Sequence, residues 1–315
     1  MSFSIVTKDE LARVMGNNRC CKLAELAALV KTNGSLHLSK GHQVTLSVVT
    51  ESAALARKNF LLFKEIFQTY ANVLVQRKRR LRKNNIYIVR ISSQPHVLGI
   101  LERLSLLGGE RELKEGIPGK LVRRDCCRRA YLRGAFLSSG SVNNPASNYH
   151  LEMVVGNELY AQDICRLMQK FHLHPGLVVR KNGYVIYLKD GEQIAYCLNL
   201  MGAHTALLNL ENIRVYKDMR NQVNRLVNCE TANLSKTINA SLHQLETIRF
   251  LASTIGIGKL PPPLRQVALA RLAYPDASLK ELGELLEPKV GKSGVRHRLG
   301  KLEEIAHKKT LESDT

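Results

Sequence analysis

The sequence contains no tryptophan, and aromatic residues make up only 5% of it. That argues against a nucleic-acid surface built on many stacked aromatic rings. No run approaches the roughly 18 uncharged apolar residues that a membrane-spanning helix needs. The first ten residues have no apolar core and turn acidic at Asp9 and Glu10, so no secretion signal is expected. None of the seven cysteines forms a Cys-x-x-Cys pair. Four of them fall in two adjacent pairs, Cys20-Cys21 and Cys126-Cys127. Reduced thiols acting as small hydrophobes in a cytoplasmic protein are favoured over a disulfide framework or a zinc site, and neither metal nor cofactor is expected.

Acidic residues are also scarce: 27 Asp and Glu stand against 47 Lys and Arg, a net charge of +20. That excess favours a polyanionic partner, nucleic acid or an anionic surface. A hydrophobic fraction of 44% is ordinary for a globular chain and excludes wholesale disorder. At 315 residues the chain is too long for one small core, and about two domains are expected.

The cysteine pairs lie 106 residues apart, and the same offset recurs downstream. Leu26-Ala27-Ala28-Leu29-Val30-Lys31-Thr32-Asn33-Gly34-Ser35-Leu36 lies over Leu132-Arg133-Gly134-Ala135-Phe136-Leu137-Ser138-Ser139-Gly140-Ser141-Val142. Each segment reads as a buried helix stopped by a glycine C-cap. A hairpin signal follows in both: Val44, Leu46 and Val48 after the turn at Gly41, then Leu151, Met153 and Val155 after Asn143-Asn144-Pro145. Next comes an amphipathic helix, with Leu55, Leu62 and Ile66 in the first copy and Ala161, Ile164, Met168 and Phe171 in the second. A second hairpin turns at Asn84-Asn85 or Asn182-Gly183. Closing helices carry Val97, Leu98, Leu101 and Leu104, and Ile194, Ala195, Leu198 and Leu200. The spacing predicts an α+β fold: two αββαββα copies, about 20–107 and 126–203, within a duplicated domain over 1–210 and related by a pseudo-twofold. Ala28 and Gly134 would let the first helices of the two copies cross closely.

Leu132 to Gly140 resembles the LAGLIDADG helix of homing endonucleases, and the predicted topology is that fold's. The resemblance implies two such helices at an interface, sheets forming a saddle for DNA, and a metal-holding acid before each terminal glycine. Those positions are Asn33 and Ser139, neither of them anionic. Hard divalent cations need carboxylates, so the fold is expected to carry over and the cleavage chemistry is not.

Basic residues cluster three times in this part. Gln76 to Lys83 contains Arg77, Lys78, Arg79, Arg80, Arg82 and Lys83; a second group is Lys120, Arg123, Arg124, Arg128, Arg129 and Arg133; the third is Arg180-Lys181. Cationic hairpin tips suit phosphate contact, although each residue alone reads equally well as part of a solvated face.

From Glu211 the composition turns polar and rich in asparagine, which predicts a partly helical linker over 211–235. A helical domain is expected over 236–315: a helix near Ala240 to Ile255, a break at Pro261-Pro262-Pro263, a short helix from Leu264 to Ala273, and a helix-turn-helix at about 278–311. Ser278 with Glu281 forms a capping box ahead of Leu279, Leu282, Leu285 and Leu286. The second helix, read as capped by Ser293, would pack through Val295, Leu299 and Leu302. It would present Ser293, Arg296, His297, Arg298 and Lys301 to a major groove, with Lys289 and Lys292 on phosphates. An ordinary αα-hairpin is the competing reading, and agreement between the caps and the two apolar stripes favours the DNA-binding one. Residues 257 to 315 hold eleven Lys and Arg against eight Asp and Glu, so +17 of the +20 lies before them.

The combination of a degenerate LAGLIDADG pair with a helix-turn-helix resembles the WhiA family of DNA-binding proteins of Gram-positive bacteria. The likeness rests on the Ser2-Phe3-Ser4 start, the neutralised nonapeptides, the Asn-rich segment, the triple proline and the Ser278 to Leu302 unit. It implies a sequence-specific regulator of transcription without nuclease activity, linked to cell division, chromosome segregation and, in some members, sporulation. Double-stranded DNA is the expected partner, in the cytoplasm and on the nucleoid, with no small-molecule substrate and no membrane. Similarity of the C-terminal unit to the DNA-binding region of bacterial sigma factors implies contact with transcription machinery or a co-regulator. An active homing endonuclease and a DNA-tethered protein adaptor are the alternatives.

Overall fold

A computed structural model describes residues 2–39, 43–77, 85–92, 94–108, 112–181 and 183–313. They form two compact units, Met1–Lys217 and Asp218–Thr315. The first unit opens with α1 (Phe3–Arg13), whose first turn is capped by the Ser2 hydroxyl accepting the Ile5 N–H. Sequence patterning did not single out this helix.

Helices α2 (Arg19–Asn33) and α5 (Asp125–Ser139) are each fifteen residues long, and their bounds differ by the expected offset of 106. They pack against each other, and Ala24, Leu26, Ala27, Ala28 and Leu29 on the first and Ala130, Leu132, Ala135 and Phe136 on the second are all at most 1% exposed. A methyl group on Gly134 would lie 2.5 Å from the Glu25 carbonyl oxygen and 3.0 Å from Ala28 Cβ. The small pair thus allows the close crossing, as the sequence predicts.

Each helix runs into a four-stranded antiparallel sheet. The first holds β1 (Gly34–Ser39), β2 (Gln43–Thr50), β3 (Asn72–Arg77) and β4 (Asn85–Ile91) in the order β1-β2-β4-β3. The second holds β5 (Gly140–Val142), β6 (Leu151–Val155), β7 (Gly176–Arg180) and β8 (Gly183–Leu188) in the order β5-β6-β8-β7. Register puts matching apolar residues on the core face: Leu46 opposite Ile91 and Val48 opposite Val89, then Leu151 opposite Leu188 and Met153 opposite Ile186. Between the hairpins lie α3 (Ala53–Phe67) and α6 (Glu158–Gln169), and α4 (Gln94–Arg103) and α7 (Gly191–Met201) close the copies.

The glycines that end α2 and α5 act differently from the expected C-cap. Gly34 and Gly140 are extended, with φ of −81° and −85°, and not left-handed. Glycine is needed there for space: a Cβ at Gly34 would meet the Val30 carbonyl oxygen at 2.2 Å, and one at Gly140 the Phe136 ring at 2.2 Å. At the β7–β8 turn, Gly183 does take a positive φ of 126°, which L side chains rarely adopt.

The partly helical linker expected over 211–235 is instead the middle of one uninterrupted helix, α8 (His204–Thr254). Asparagine lowers helix propensity by well under 1 kcal/mol, and neither glycine nor proline occurs between Gly202 and Gly256. Both of those glycines have positive φ, 92° and 85°. The Glu10 carboxylate accepts the N–H groups of Thr205 and Ala206 at 2.7 and 3.0 Å, an anion at the positive end of α8. Residues 218–240 of this helix are all exposed.

The second unit adds α9 (Pro262–Ala273), α10 (Leu279–Glu284) and α11 (Lys292–Ser313). Its core joins Ile248 and Leu251 to Leu264, Val267, Leu282, Val295, Leu299 and Leu302.

Candidate nucleic-acid interface

The helix-turn-helix is assembled by local chemistry. The Ser278 hydroxyl accepts the Glu281 N–H at 3.3 Å, and the Glu281 carboxylate accepts the Ser278 N–H at 2.7 Å. The Ser278 backbone bond holds the Glu281 carboxyl below its ordinary pKa. Two of the N–H groups at the start of α10 are thereby satisfied. The chain then folds back so tightly that the Val290 N–H reaches the Gly283 carbonyl at 3.0 Å, and a Cβ on Gly283 would lie 2.0 Å from the Val290 oxygen. Only glycine fits that approach. Arg271, 3% exposed, donates to the carbonyls of Pro275 and Ala277 at 3.2 and 2.6 Å and fixes the segment leading into α10.

Helix α11 starts at Lys292, and the Gly291 carbonyl accepts the Val295 N–H. Ser293, read from sequence as its cap, therefore stands inside the first turn, with Gly291 in the capping position. Val295, Leu299 and Leu302, at most 2% exposed, form the stripe that docks α11. Lys292, Ser293, Arg296, His297 and Lys301 are exposed on this helix, and Lys289 is exposed in the turn before it. Arg298 differs: it is half-buried, and its Nη1 is buried with no hydrogen-bond partner among the described residues. At about 100° per residue, Arg298 falls roughly 60° from Val295, at the margin of the docked face and away from the side that carries Ser293 and His297.

In the first unit, Arg77 ends β3 in the open. Lys78, Arg79, Arg80, Arg82 and Lys83 lie outside the described residues. Arg180 is exposed on β7 with Nη1 3.8 Å from the Glu152 carboxylate, and Lys181 is exposed beside it. Arg133, grouped from sequence with the basic surface residues, is instead buried. Its Nε and Nη2 donate to the Glu25 carboxylate at 2.8 and 2.6 Å, and its Nη1 donates to the Met201 carbonyl at 3.1 Å. Glu25 also takes the Lys58 ammonium, so the ion cluster ties the two copies together inside the core.

Asn33 and Ser139 border one cleft of about 670 Å³ together with Tyr160 and Glu115. The Ser139 hydroxyl is turned back to the Ala135 carbonyl at 2.9 Å. Glu115, which no motif marked, is the carboxylate lining that cleft. Among the described residues, the group of three or more possible metal-ligating side chains is made of cysteines: Cys20, Cys21, Cys126 and Cys127, whose sulfurs lie within 4.8 Å of one another. The linear spacing concealed it, since each adjacent pair supplies half of the group.

No helix among the described residues is long and apolar enough to cross a membrane. Three family models match in chain order: the WhiA N-terminal LAGLIDADG-like domain over residues 19–107, the WhiA LAGLIDADG-like domain over 128–220, and the WhiA C-terminal HTH domain over 223–306. The probable cell division protein WhiA of Desulforamulus reducens is 58% identical over 309 residues, covering 98% of this chain and 96% of that one. The corresponding protein of Desulfitobacterium hafniense is 54% identical over 308 residues, with 98% and 96% covered. The crystal structure of a full-length WhiA from Thermatoga maritima aligns over 98% of this chain and 99% of that chain, at 25% identity and a TM-score of 0.60. With its duplicated LAGLIDADG-like unit followed by a helix-turn-helix, the chain belongs to the WhiA family.

Proposed function

We propose that the protein is a sequence-specific, DNA-binding regulator of transcription without nuclease activity, acting on the nucleoid in cell division. The supporting observation is α11, which buries Val295, Leu299 and Leu302 and leaves Arg296, His297 and Lys301 exposed. Arg296 suits guanine edges, and Lys289 and Lys292 suit phosphates. Relatives named as probable cell division proteins support the cellular setting. Chromosome segregation, sporulation and contact with transcription machinery extend the same reading. Uncharged side chains at Asn33 and Ser139 support the loss of cleavage, since they offer a hydrolytic magnesium ion no anionic ligand.

Replacing Arg296 with Ala is expected to weaken promoter-fragment binding by about 1–3 kcal/mol and to relax preference at one base position. Unchanged affinity in a gel-shift titration rules out α11 as the reading helix. A second reading has the duplicated unit serving as a protein-binding surface, favoured by the neutralising neighbour of Arg180, Glu152. Charge reversal at Arg77 and Lys181 in the full chain separates the two. A flatter salt dependence of DNA binding supports a phosphate clamp, and an unaltered slope supports the adaptor.

A further inference from the structure

The first turns of α2 and α5 carry the cysteine pairs at matching positions: Cys20 and Cys126 are second in their helices, Cys21 and Cys127 third. All four sulfurs lie within 4.8 Å of one another, and Cys126 Sγ is 3.9 Å from Cys127 Sγ. Four thiolates around a tetrahedral zinc ion at about 2.3 Å stand about 3.8 Å apart. Small side-chain rotations therefore separate the observed group from a metal-holding one. We propose that Cys20, Cys21, Cys126 and Cys127 form a tetrathiolate site for one zinc-class ion, each copy of the duplicated unit supplying two ligands.

Three further features fit this assignment. Soft sulfur ligands select zinc and related ions over magnesium or manganese, so the site is distinct in chemistry from the cleft at Asn33 and Ser139. It is also distinct in place: Cys20 and Asn33 sit thirteen residues apart on α2, about 20 Å along the helix. The site's electrostatics suit it as well. Four thiolates on one divalent ion leave an excess negative charge, and both helices point their positive ends at it. Neither α2 nor α5 has a side-chain cap, whereas α1, α3, α6, α7 and α10 are each capped by Ser, Asn or Asp. Finally, burial is graded. Cys21 and Cys127 are buried, Cys20 is half-buried and Cys126 is exposed, which provides an anchored pair and an entry path. Binding releases the thiol protons to solvent and ties the two copies together at one end of their shared helix pair.

The test is metal analysis of the full-length chain, expressed with zinc in the medium and purified reduced without metal-affinity resin. One zinc per chain is expected, released when the thiols are titrated with an organomercurial. Cobalt replacement is expected to give the charge-transfer and d–d absorption of tetrahedral cobalt thiolate. Cys126→Ser, at an exposed position that leaves the core intact, is expected to weaken zinc retention more than about tenfold against a chelating dye. Cys20→Ser with Cys126→Ser is expected to abolish it, and Cys229→Ser to leave it unchanged. A wild-type chain that carries no zinc and takes up no cobalt overturns the proposal. So does full zinc retention in the double variant, or a disulfide between the two pairs in place of metal.

Discussion

Helices α2 and α5 are the same element twice, equal in length and 106 residues apart, yet they differ where they touch. Both keep adjacent cysteines at the start, an apolar middle and a terminal glycine dictated by close packing. The buried charges do not follow the symmetry. Glu25 has Tyr131 as its counterpart, and Arg133 has Ala27. One ion cluster therefore spans a nearly symmetric interface in a single orientation. Glu25 is fully buried, with Lys58 and Arg133 as its two cations. The difference teaches that duplication supplied the scaffold, and that unpaired changes in each half then fixed how they dock.

The largest expected effect comes from breaking that asymmetry at its centre. Glu25→Gln leaves two buried cations without an anion, and it is expected to lower stability by about 3–5 kcal/mol in urea denaturation. A change below about 1 kcal/mol would mean that the cluster is solvated in solution.

Lys58 gives a pH-dependent handle on the same cluster. Burial pushes its ammonium down to about 8, against the attraction of Glu25, from an ordinary value of 10.5. Between those values the unfolded chain holds a proton that the folded chain has lost, so this group's contribution to stability rises from pH 8 to 10.5. The gain is on the order of 3 kcal/mol. Lys58→Met retains the Glu25–Arg133 pair and is expected to flatten that rise relative to wild type, read from denaturation midpoints across the pH range.

The crossing point offers a matched pair, because Ala28 and Gly134 are counterparts under the offset. Gly134→Ala drives a methyl group against the Glu25 backbone and is expected to cost about 1–3 kcal/mol. Ala28→Gly removes a methyl group and is expected to cost about 0.5–1 kcal/mol. Equal melting shifts for the two would contradict the one-sided packing.

The smallest effects test what the copies share. The Ser52 hydroxyl accepts the Leu55 N–H at the start of α3, and the Asn157 side chain accepts the Tyr160 N–H at the start of α6. Each replaced by Ala is expected to lose about 1 kcal/mol, with near-equal shifts in thermal midpoint.

Much of the fold was legible because duplication repeats its own evidence. A hydrophobic period of 3.6 or 2 that recurs at one offset marks helices and strands better than either copy alone. Ser278 and Glu281 announced the start of α10 for a local reason, since both partners of the capping box lie three residues apart. Asparagine misled the reading of 211–235: its turn preference is a weak local term that a glycine-free, proline-free helix overrides. Arg133 misled in the same way, because the carboxylate that draws it into the core belongs to Glu25, 108 residues earlier. Arg298 is chemically apt for DNA, but its angle on α11 is set by which side the apolar stripe docks.

By itself the sequence determined the two-copy plan, the apolar faces, the short-range caps and the want of carboxylates at Asn33 and Ser139. Each follows from residue type and spacing along the chain. Tertiary structure alone decided which charges are buried together, that Gly134 lies against Glu25, and that two cysteine pairs meet. Those facts depend on distances between residues about a hundred positions apart, and such distances exist only once the helices have packed.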